Sequence, residues 1–170
     1  MFSRKQKQRI VREMRVQMRS FYRGQHPEAA CLYWAACANS YLSHKYRIRT
    51  ILQAGTMQWP CSATDDGVSP THFSYMWEPD SLMTKSMIEA GLMPEMHVWA
   101  AIPSENEIVD LTTRYLVQQA RKRAALAWTA PPPPDFLWVR AGQLPSGVVY
   151  RPDYAATMLA TQLLAASAKR

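Results

Sequence analysis

The sequence lacks any run of about 18 consecutive apolar residues, the length that a helix needs to cross a bilayer. Its longest uncharged stretch near an end, residues 154–168, is interrupted by threonine, glutamine and serine, which predicts an ordinary helix of a globular domain. No apolar segment follows the basic N-terminus, as a secretory signal would require. We therefore expect a cytoplasmic protein with no transmembrane segment.

Cysteines are few and are not spaced as pairs. Cys31, Cys37 and Cys61 make an odd count of three, and no Cys-x-x-Cys or His-x-x-x-His spacing occurs. Neither a disulfide framework nor a zinc site is indicated, and the acidic clusters typical of calcium sites are also missing. We expect no metal and no cofactor.

Positive charge is concentrated in one segment. Residues 1–23 hold eight Lys or Arg and one acid, which accounts for the net charge of +7, and the rest of the chain is balanced. Ile10, Met14 and Met18 recur at helical spacing and predict an amphipathic helix over residues 3–22. Its basic face is expected to be solvated; the alternatives are a membrane surface or an anionic partner, such as nucleic acid or an acidic protein. Contact with an anionic partner would use Arg4, Lys5, Lys7, Arg9, Arg12, Arg15 and Arg19.

The remaining pattern predicts one α+β domain of 170 residues. Pro27 and Glu28 suit the first turn of a second helix that runs to about Ser43. A loop is predicted at 60–70 and a rigid polyproline spacer at 131–134. The other predicted elements are strands at 47–52, 71–77, 136–139 and 148–150, and helices at 81–90, 112–126 and 154–168.

Cys31 is the best placed of the three thiols for nucleophilic chemistry. Acyl transfer through cysteine needs a thiolate, a base that generates it and a group that orients the base. The N-terminus of a helix favours negative charge, and Cys31 is expected about one turn into the second helix. Cys37 lies deeper in that helix and Cys61 falls in a loop. The competing interpretation is that Cys31 is a small buried apolar residue.

Residues 97–111 predict a β-hairpin with a turn at 103–106. Such a turn pairs Ile102 with Glu107, and the same register continues outward along both strands. With any even number of residues in the turn, the same side chains of the two strands lie on the same face of the hairpin. The hairpin therefore predicts specific neighbours as well as two strands.

His97, Trp99 and Asp110 share one face of this hairpin. Trp99 is opposite Asp110, which places Asp110 diagonal to His97, within reach of a hydrogen bond that would fix the imidazole tautomer. Trp99 would shield the pair from water. His72 is the reserve candidate for the base.

The order of these residues resembles the transglutaminase-like branch of the papain-like cysteine protease superfamily. The matching segments are Ala-Ala-Cys-Leu-Tyr-Trp-Ala around Cys31, Met-His-Val-Trp-Ala around His97 and Glu-Ile-Val-Asp-Leu-Thr-Thr around Asp110. In that family a His-x-Trp strand is followed about a dozen residues later by an Asp with a nearby Thr. The resemblance covers roughly residues 24–113.

The resemblance implies a helix carrying the nucleophile, packed on a small antiparallel sheet. It also implies an oxyanion hole formed by Gln25 and the backbone N–H of Cys31. On this interpretation, residues 1–23 are an added amphipathic helix and residues 114–170 a helical extension that ends in a closing helix.

Two functions remain open at this stage. The first is a cysteine hydrolase or acyltransferase that acts on a peptide or protein amide bond, as a peptidase, amidase, deamidase or transglutaminase-like enzyme. The second is a catalytically inactive papain-like scaffold that binds an anionic partner through its basic helix.

Overall fold

The computed structural model describes residues 2–21, 30–62 and 71–167. These residues form an α+β fold in which helices lie against one curled antiparallel sheet. The helices are α1 (Arg4–Phe21), α2 (Cys31–Tyr46), α3 (Leu82–Glu89), α4 (Leu116–Ala124) and α5 (Tyr154–Ser167). The strands are β1 (Ile51–Pro60), β2 (His72–Tyr75), β3 (His97–Ile102), β4 (Glu107–Asp110), β5 (Leu137–Arg140) and β6 (Val149–Pro152).

Helix α1 is confirmed, and its apolar stripe explains its place in the fold. Ile10, Met14 and Met18 are buried in one cluster with residues of α2 and of the sheet. Because this stripe is part of the core, α1 is a structural element of the domain and not a detachable basic arm.

Helix α2 begins later than the sequence predicted. Ala30 has φ −109° and ψ 35°, which is not helical, so the helix starts at Cys31. The predicted start near Pro27 lies outside the described residues. At the other end, Arg47 adopts a left-handed conformation with φ 56° and stops the helix.

The strand predicted at 47–52 is displaced toward the C-terminus. Strand β1 starts at Ile51 and extends to Pro60, and it pairs with β2, β3 and β6. Gly55 pairs with β3 and β6 together, and a Cβ atom there would lie 2.2 Å from the carbonyl oxygen of Arg151. Only glycine allows this close approach of two backbones.

The C-terminal part of the chain belongs to the same sheet, which corrects the expectation of a helical extension. Strand β5 pairs with β4, and β6 pairs with β1. Helix α5 then begins after Asp153, whose carboxylate accepts a hydrogen bond from the N–H of Ala156 (2.9 Å). Residue 113 is therefore not a structural boundary.

The two faces of the sheet have different coverings. One face packs against α1, α2 and α5. The other face encloses an aromatic core of its own, which includes Trp59, Phe73, Tyr75, Trp99 and Tyr150. Since side chains alternate along a strand, β3 sends His97 and Trp99 toward this aromatic core.

Candidate active site

The β3–β4 hairpin has the register that the sequence predicted. Ile102 pairs with Glu107 and Ala100 with Val109, across a short 3₁₀ turn at Pro103–Glu105. Asn106 completes the turn at φ 52°, a left-handed conformation that asparagine tolerates better than most residues. The even count of turn residues places Asp110 on the same face as His97.

His97 and Asp110 form a buried hydrogen bond. Nε2 of His97 donates to Oδ2 of Asp110 at 2.7 Å, and the two residues are 1% and 2% exposed. The other carboxylate oxygen, Oδ1, accepts from the backbone N–H of Thr112 (2.7 Å) and from its hydroxyl (2.6 Å). Asp110 is thereby fixed in position and holds the imidazole in one tautomer.

Tyr150 is a member of this cluster that the sequence analysis did not identify. Its hydroxyl donates to Oδ2 of Asp110 at 2.7 Å. Burial, and then the Asp110 charge and hydrogen bond, raise the pKa of Tyr150 well above its usual value, so it remains a donor. The signal in the sequence was only a short strand around Val149, and strand β6 reaches Asp110 because the sheet curls.

The electrostatics of the pair favour its charged form. Burial alone would raise the pKa of Asp110, but the His97 charge and the hydrogen bonds from His97, Thr112 and Tyr150 lower it overall. Burial likewise opposes the imidazolium, but the charge and hydrogen bond of Asp110, with a further contribution from Cys31, raise the pKa of His97 above its usual value. The two shifts therefore have opposite signs and the same origin.

Aromatic rings enclose the His97 imidazole. The rings of Tyr75, Trp99 and Tyr150 lie with their centroids 5.2, 6.2 and 6.0 Å from it. Trp99 stacks at 22° to the imidazole, and its indole N–H is satisfied by Gln53 at 3.0 Å. Trp99 therefore lies where the sequence predicted and excludes water from the pair.

Cys31 reaches this cluster from helix α2. It is the first residue of the helix and is 8% exposed, and its interaction with His97 is one cause of the raised imidazole pKa. Because Nε2 is bonded to Asp110, Nδ1 is the ring nitrogen that remains for the thiol. Nδ1 is buried and has no aligned hydrogen-bond partner among the described residues, so the contact with the thiol is a loose one. Catalytic hydrogen bonds are often long before substrate binds.

A cavity of about 210 Å³ opens beside Cys31. Its described lining residues come from α2, β2, α4 and the segment before β3: Cys31, Tyr75, Met93, Pro94, Glu95, Met96, Gln119 and Arg123. Trp99 is not among them. It packs against the His97 imidazole and does not line the cavity, contrary to the prediction that it lines the site. The thiol therefore has a space in front of it that a small acyl group can enter.

Of the two predicted oxyanion donors, the backbone N–H of Cys31 lies among the described residues. Gln25 lies outside the described residues, and its role stays a prediction. The backbone N–H of Cys31 belongs to the first turn of α2, where N–H groups have no acceptor within the helix. Gln119, which the sequence analysis missed, is 6% exposed, and it adds a side-chain amide to the cavity beside Cys31.

The other two thiols have environments unlike that of Cys31. Burial raises the pKa of Cys37 to about 11, and its thiol donates to the carbonyl of Met14 at 3.8 Å. Burial also raises the pKa of Cys61, which donates to the carbonyl of Thr71 at 3.2 Å. Cys61 directly follows β1 and is fully buried.

The basic face of α1 is less available than the sequence predicted. Lys7 forms a 2.6 Å ion pair with Glu107, and Arg15 forms a 2.5 Å ion pair with Asp135. These two residues are therefore removed from the set proposed for an anionic partner. Its other members, which are exposed, are Arg4, Lys5, Arg9, Arg12 and Arg19.

Within residues 2–21, 30–62 and 71–167, no group of three or more potential metal ligands comes together. A search of the same ranges found no helix with the length and apolar character needed to span a bilayer. Comparison of the chain with protein-family models, curated proteins and solved structures found no match. The transglutaminase-like resemblance therefore rests on the motifs around Cys31, His97 and Asp110.

Proposed function

We propose that this chain is a cysteine-dependent hydrolase or acyltransferase that acts on amide bonds, built on a papain-like, transglutaminase-like scaffold. The observation that carries the proposal is the buried His97, whose Nε2 bonds Asp110 and whose imidazole interacts with Cys31, a residue that lines a cavity. A nucleophile, its base and the group that orients the base are thus in contact in the right order.

The chemistry follows from these contacts. The thiol gives its proton to Nδ1 of His97, and the sulfur attacks the amide carbonyl. The C–N bond then breaks, the amine leaves with the proton from the imidazolium, and a thioester to Cys31 remains. Water, or an amine acceptor, attacks the thioester with His97 as base, which frees the acid or the new amide and restores the thiol.

The surroundings support these roles. Asp110 stabilises an imidazolium where it must form, and the hydroxyl of Tyr150 keeps the carboxylate oriented. The N–H of Cys31 and the amide of Gln119 are the described groups available to the oxyanion, besides the predicted Gln25.

The test is the rate of iodoacetamide alkylation at each cysteine, read by peptide mass spectrometry from pH 5 to 9. We expect Cys31 to react rapidly below pH 7 and His97→Ala to slow this reaction about 100-fold. His44→Ala is the matched control, because His44 is exposed on the last turn of α2. If Cys31 of the folded wild type reacts no faster than a free thiol, the enzymatic proposal is wrong.

The second candidate is a binding module for an anionic partner, supported by the five exposed basic residues that remain on α1. Deleting α1 would expose core residues, so the appropriate variant replaces Arg4, Lys5, Arg9 and Arg12 with Gln. Binding to duplex DNA that falls steeply with salt, and is lost in this variant, would support the second candidate. No binding at low salt would exclude nucleic acid as the partner.

A further inference from the structure

The cavity beside Cys31 contains one cation among its described lining residues, Arg123. Arg123 lies in the last turn of α4, and its guanidinium is 4.8 Å from the centre of the Tyr75 ring. The Tyr75 ring is in turn 5.2 Å from the His97 imidazole. A single aromatic ring therefore separates a positive charge from the candidate base, and Tyr75 and Arg123 both line the cavity.

Tyr75 holds Arg123 without neutralising its charge. The face of its ring attracts the cation, and an aromatic ring carries no net negative charge. Burial, and then the nearby Cys31, raise the pKa of Tyr75 to about 12, so the phenol remains neutral under ordinary conditions. The guanidinium is consequently held in place and keeps its full charge.

Glu95 is a loose carboxylate partner of Arg123. The closest N–O distance is 3.6 Å, longer than a hydrogen bond, and the two side chains are 43% (Arg123) and 46% (Glu95) exposed. An exposed pair with this geometry contributes little stability. A second carboxylate that enters the cavity can therefore replace Glu95 at the guanidinium.

The rest of the cavity suits a short apolar linker. Met93 and Met96 line it with flexible apolar side chains, while Gln119 supplies an amide. A ligand that bears an amide at one end and a carboxylate at the other would place the amide at Cys31 and the carboxylate at Arg123. A planar guanidinium is the side chain best suited to bind a carboxylate with two hydrogen bonds.

We propose that Arg123 is the specificity-determining residue of this site and binds a carboxylate of the acyl donor. The substrate class is then a short acyl amide that carries a carboxylate a few bonds from the scissile carbonyl. Glu95 is the counter-ion that occupies the guanidinium in the absence of substrate. This inference rests on the proposed function, because it assumes that Cys31 is the nucleophile.

The test uses two alkylating reagents of nearly equal size and the same leaving group, neutral iodoacetamide and anionic iodoacetate. The quantity measured is the ratio of the iodoacetate rate to the iodoacetamide rate at Cys31, in about 0.15 M salt. We expect Arg123→Gln to lower this ratio about fivefold or more, since a positive charge near the thiol attracts only the anion. Glu95→Gln should raise it.

The matched control is Arg121→Gln, which removes the same charge from the same turn of α4, outside the cavity lining. Its ratio should equal that of the wild type. Buried Cys61 reports on folding in every variant, because it reacts only when the domain opens.

The outcomes separate this inference from the function on which it rests. If Cys31 reacts rapidly but its ratio is the same in the wild type and Arg123→Gln, or falls in Glu95→Gln, the inference is overturned and the enzymatic proposal stands. If Cys31 of the folded wild type is unreactive toward iodoacetamide and iodoacetate, the enzymatic proposal and the inference about Arg123 are both wrong.

Discussion

Strand β4 carries a buried carboxylate at each end, and the two are used differently. Glu107 accepts hydrogen bonds from Lys7 (2.6 Å) and from the indole N–H of Trp138 (2.7 Å). Asp110 also bonds its neighbours, but through His97 its network ends at Nδ1, which has no aligned partner in the described residues, and the imidazole interacts with the Cys31 thiol. Both carboxylates are nearly inaccessible, at 4% and 2% exposure, so burial alone does not distinguish them.

The difference lies in where each network ends. The partners of Glu107 are a lysine on α1 and a tryptophan on β5, so its bonds join three elements and stop there. A buried network whose members are all satisfied rigidifies a fold. A network that ends in an unsatisfied ring nitrogen, beside a thiol and a cavity, retains the capacity to move a proton.

The largest expected effect separates the two carboxylates by thiol reactivity. Asp110→Asn should slow alkylation of Cys31 at pH 7 about 100-fold, because burial then disfavours the imidazolium and the ring loses its orienting charge. Glu107→Gln should leave the rate unchanged. The measurement is the iodoacetamide rate at the Cys31 peptide. Equal rates in the two variants would mean that Asp110 and Glu107 do not differ in their effect on the thiol.

The next largest expected effect concerns the contribution of Glu107 to the free energy of unfolding. Glu107→Ala should lower the free energy of unfolding by about 3 kcal/mol, because Lys7 and the indole N–H of Trp138 are left without their acceptor. Urea denaturation measures this loss. The double variant Lys7→Met, Glu107→Leu should recover only the part that comes from the unpaired lysine, since an apolar pair replaces the ion pair at little cost while the indole N–H of Trp138 still lacks an acceptor.

A loss below about 0.5 kcal/mol in Glu107→Ala would show that Lys7 reaches water instead, as its 13% side-chain exposure partly allows.

The sequence predicted the geometry of the β3–β4 hairpin because that geometry is local. Strand alternation and an even turn determine that His97 and Asp110 share a face, and the hairpin needs no other part of the chain to do so. The motif context then predicted Cys31 as the third member. These three residues are brought together as the sequence analysis proposed, whereas their catalytic roles remain predictions.

The residues that the sequence analysis missed come from distant elements. Tyr150, Gln119 and Arg123 lie on β6 and α4, and their local patterns predict only a short strand and a helix. Their contacts with the site depend on how the sheet curls and on the pairing of β6 with β1, which a single sequence does not specify. The start of α2 was misplaced for a simpler reason, since Pro27 and Glu28 are a strong helix-start signal.

The titration of His97 should appear in the stability of the whole domain. Its folded pKa is raised, so its contribution is fully present below the unfolded value of about 6.5 and is lost as pH rises through the folded pKa. Asp110 has the opposite sign: its pKa is lowered, so its contribution is lost on acidification below about pH 4.

We therefore expect the free energy of unfolding of the wild type to fall by about 2 kcal/mol between pH 6 and pH 9. His97→Gln should lack this decrease, while Glu107→Gln should retain it. Urea titrations at fixed ionic strength measure the difference. A wild type and a His97→Gln variant with parallel pH profiles would show that the buried imidazole stays neutral.

The smallest effect concerns the hydrogen bond from Tyr150 to Asp110. Tyr150→Phe removes a charge-assisted bond in a fully buried site and should cost about 1.5 kcal/mol of unfolding free energy. It should also raise the pKa of His97, because a carboxylate that accepts one hydrogen bond fewer attracts the imidazolium proton more strongly. The shift would appear as a displaced pH profile of Cys31 alkylation.

Tyr41→Phe is the matched control, because Tyr41 donates a 2.5 Å bond to Glu13, whose side chain is 34% exposed. Water replaces the lost partner there, so the cost should stay below about 0.5 kcal/mol, with no effect on Cys31. Replacing tyrosine with phenylalanine should therefore affect stability and Cys31 reactivity where the hydroxyl bonds Asp110, which contacts His97, and should affect neither where it bonds Glu13. If Tyr150→Phe changed stability but left the alkylation profile where it was, Tyr150 would be a structural partner like Trp138, and the network at Asp110 would act through His97 alone.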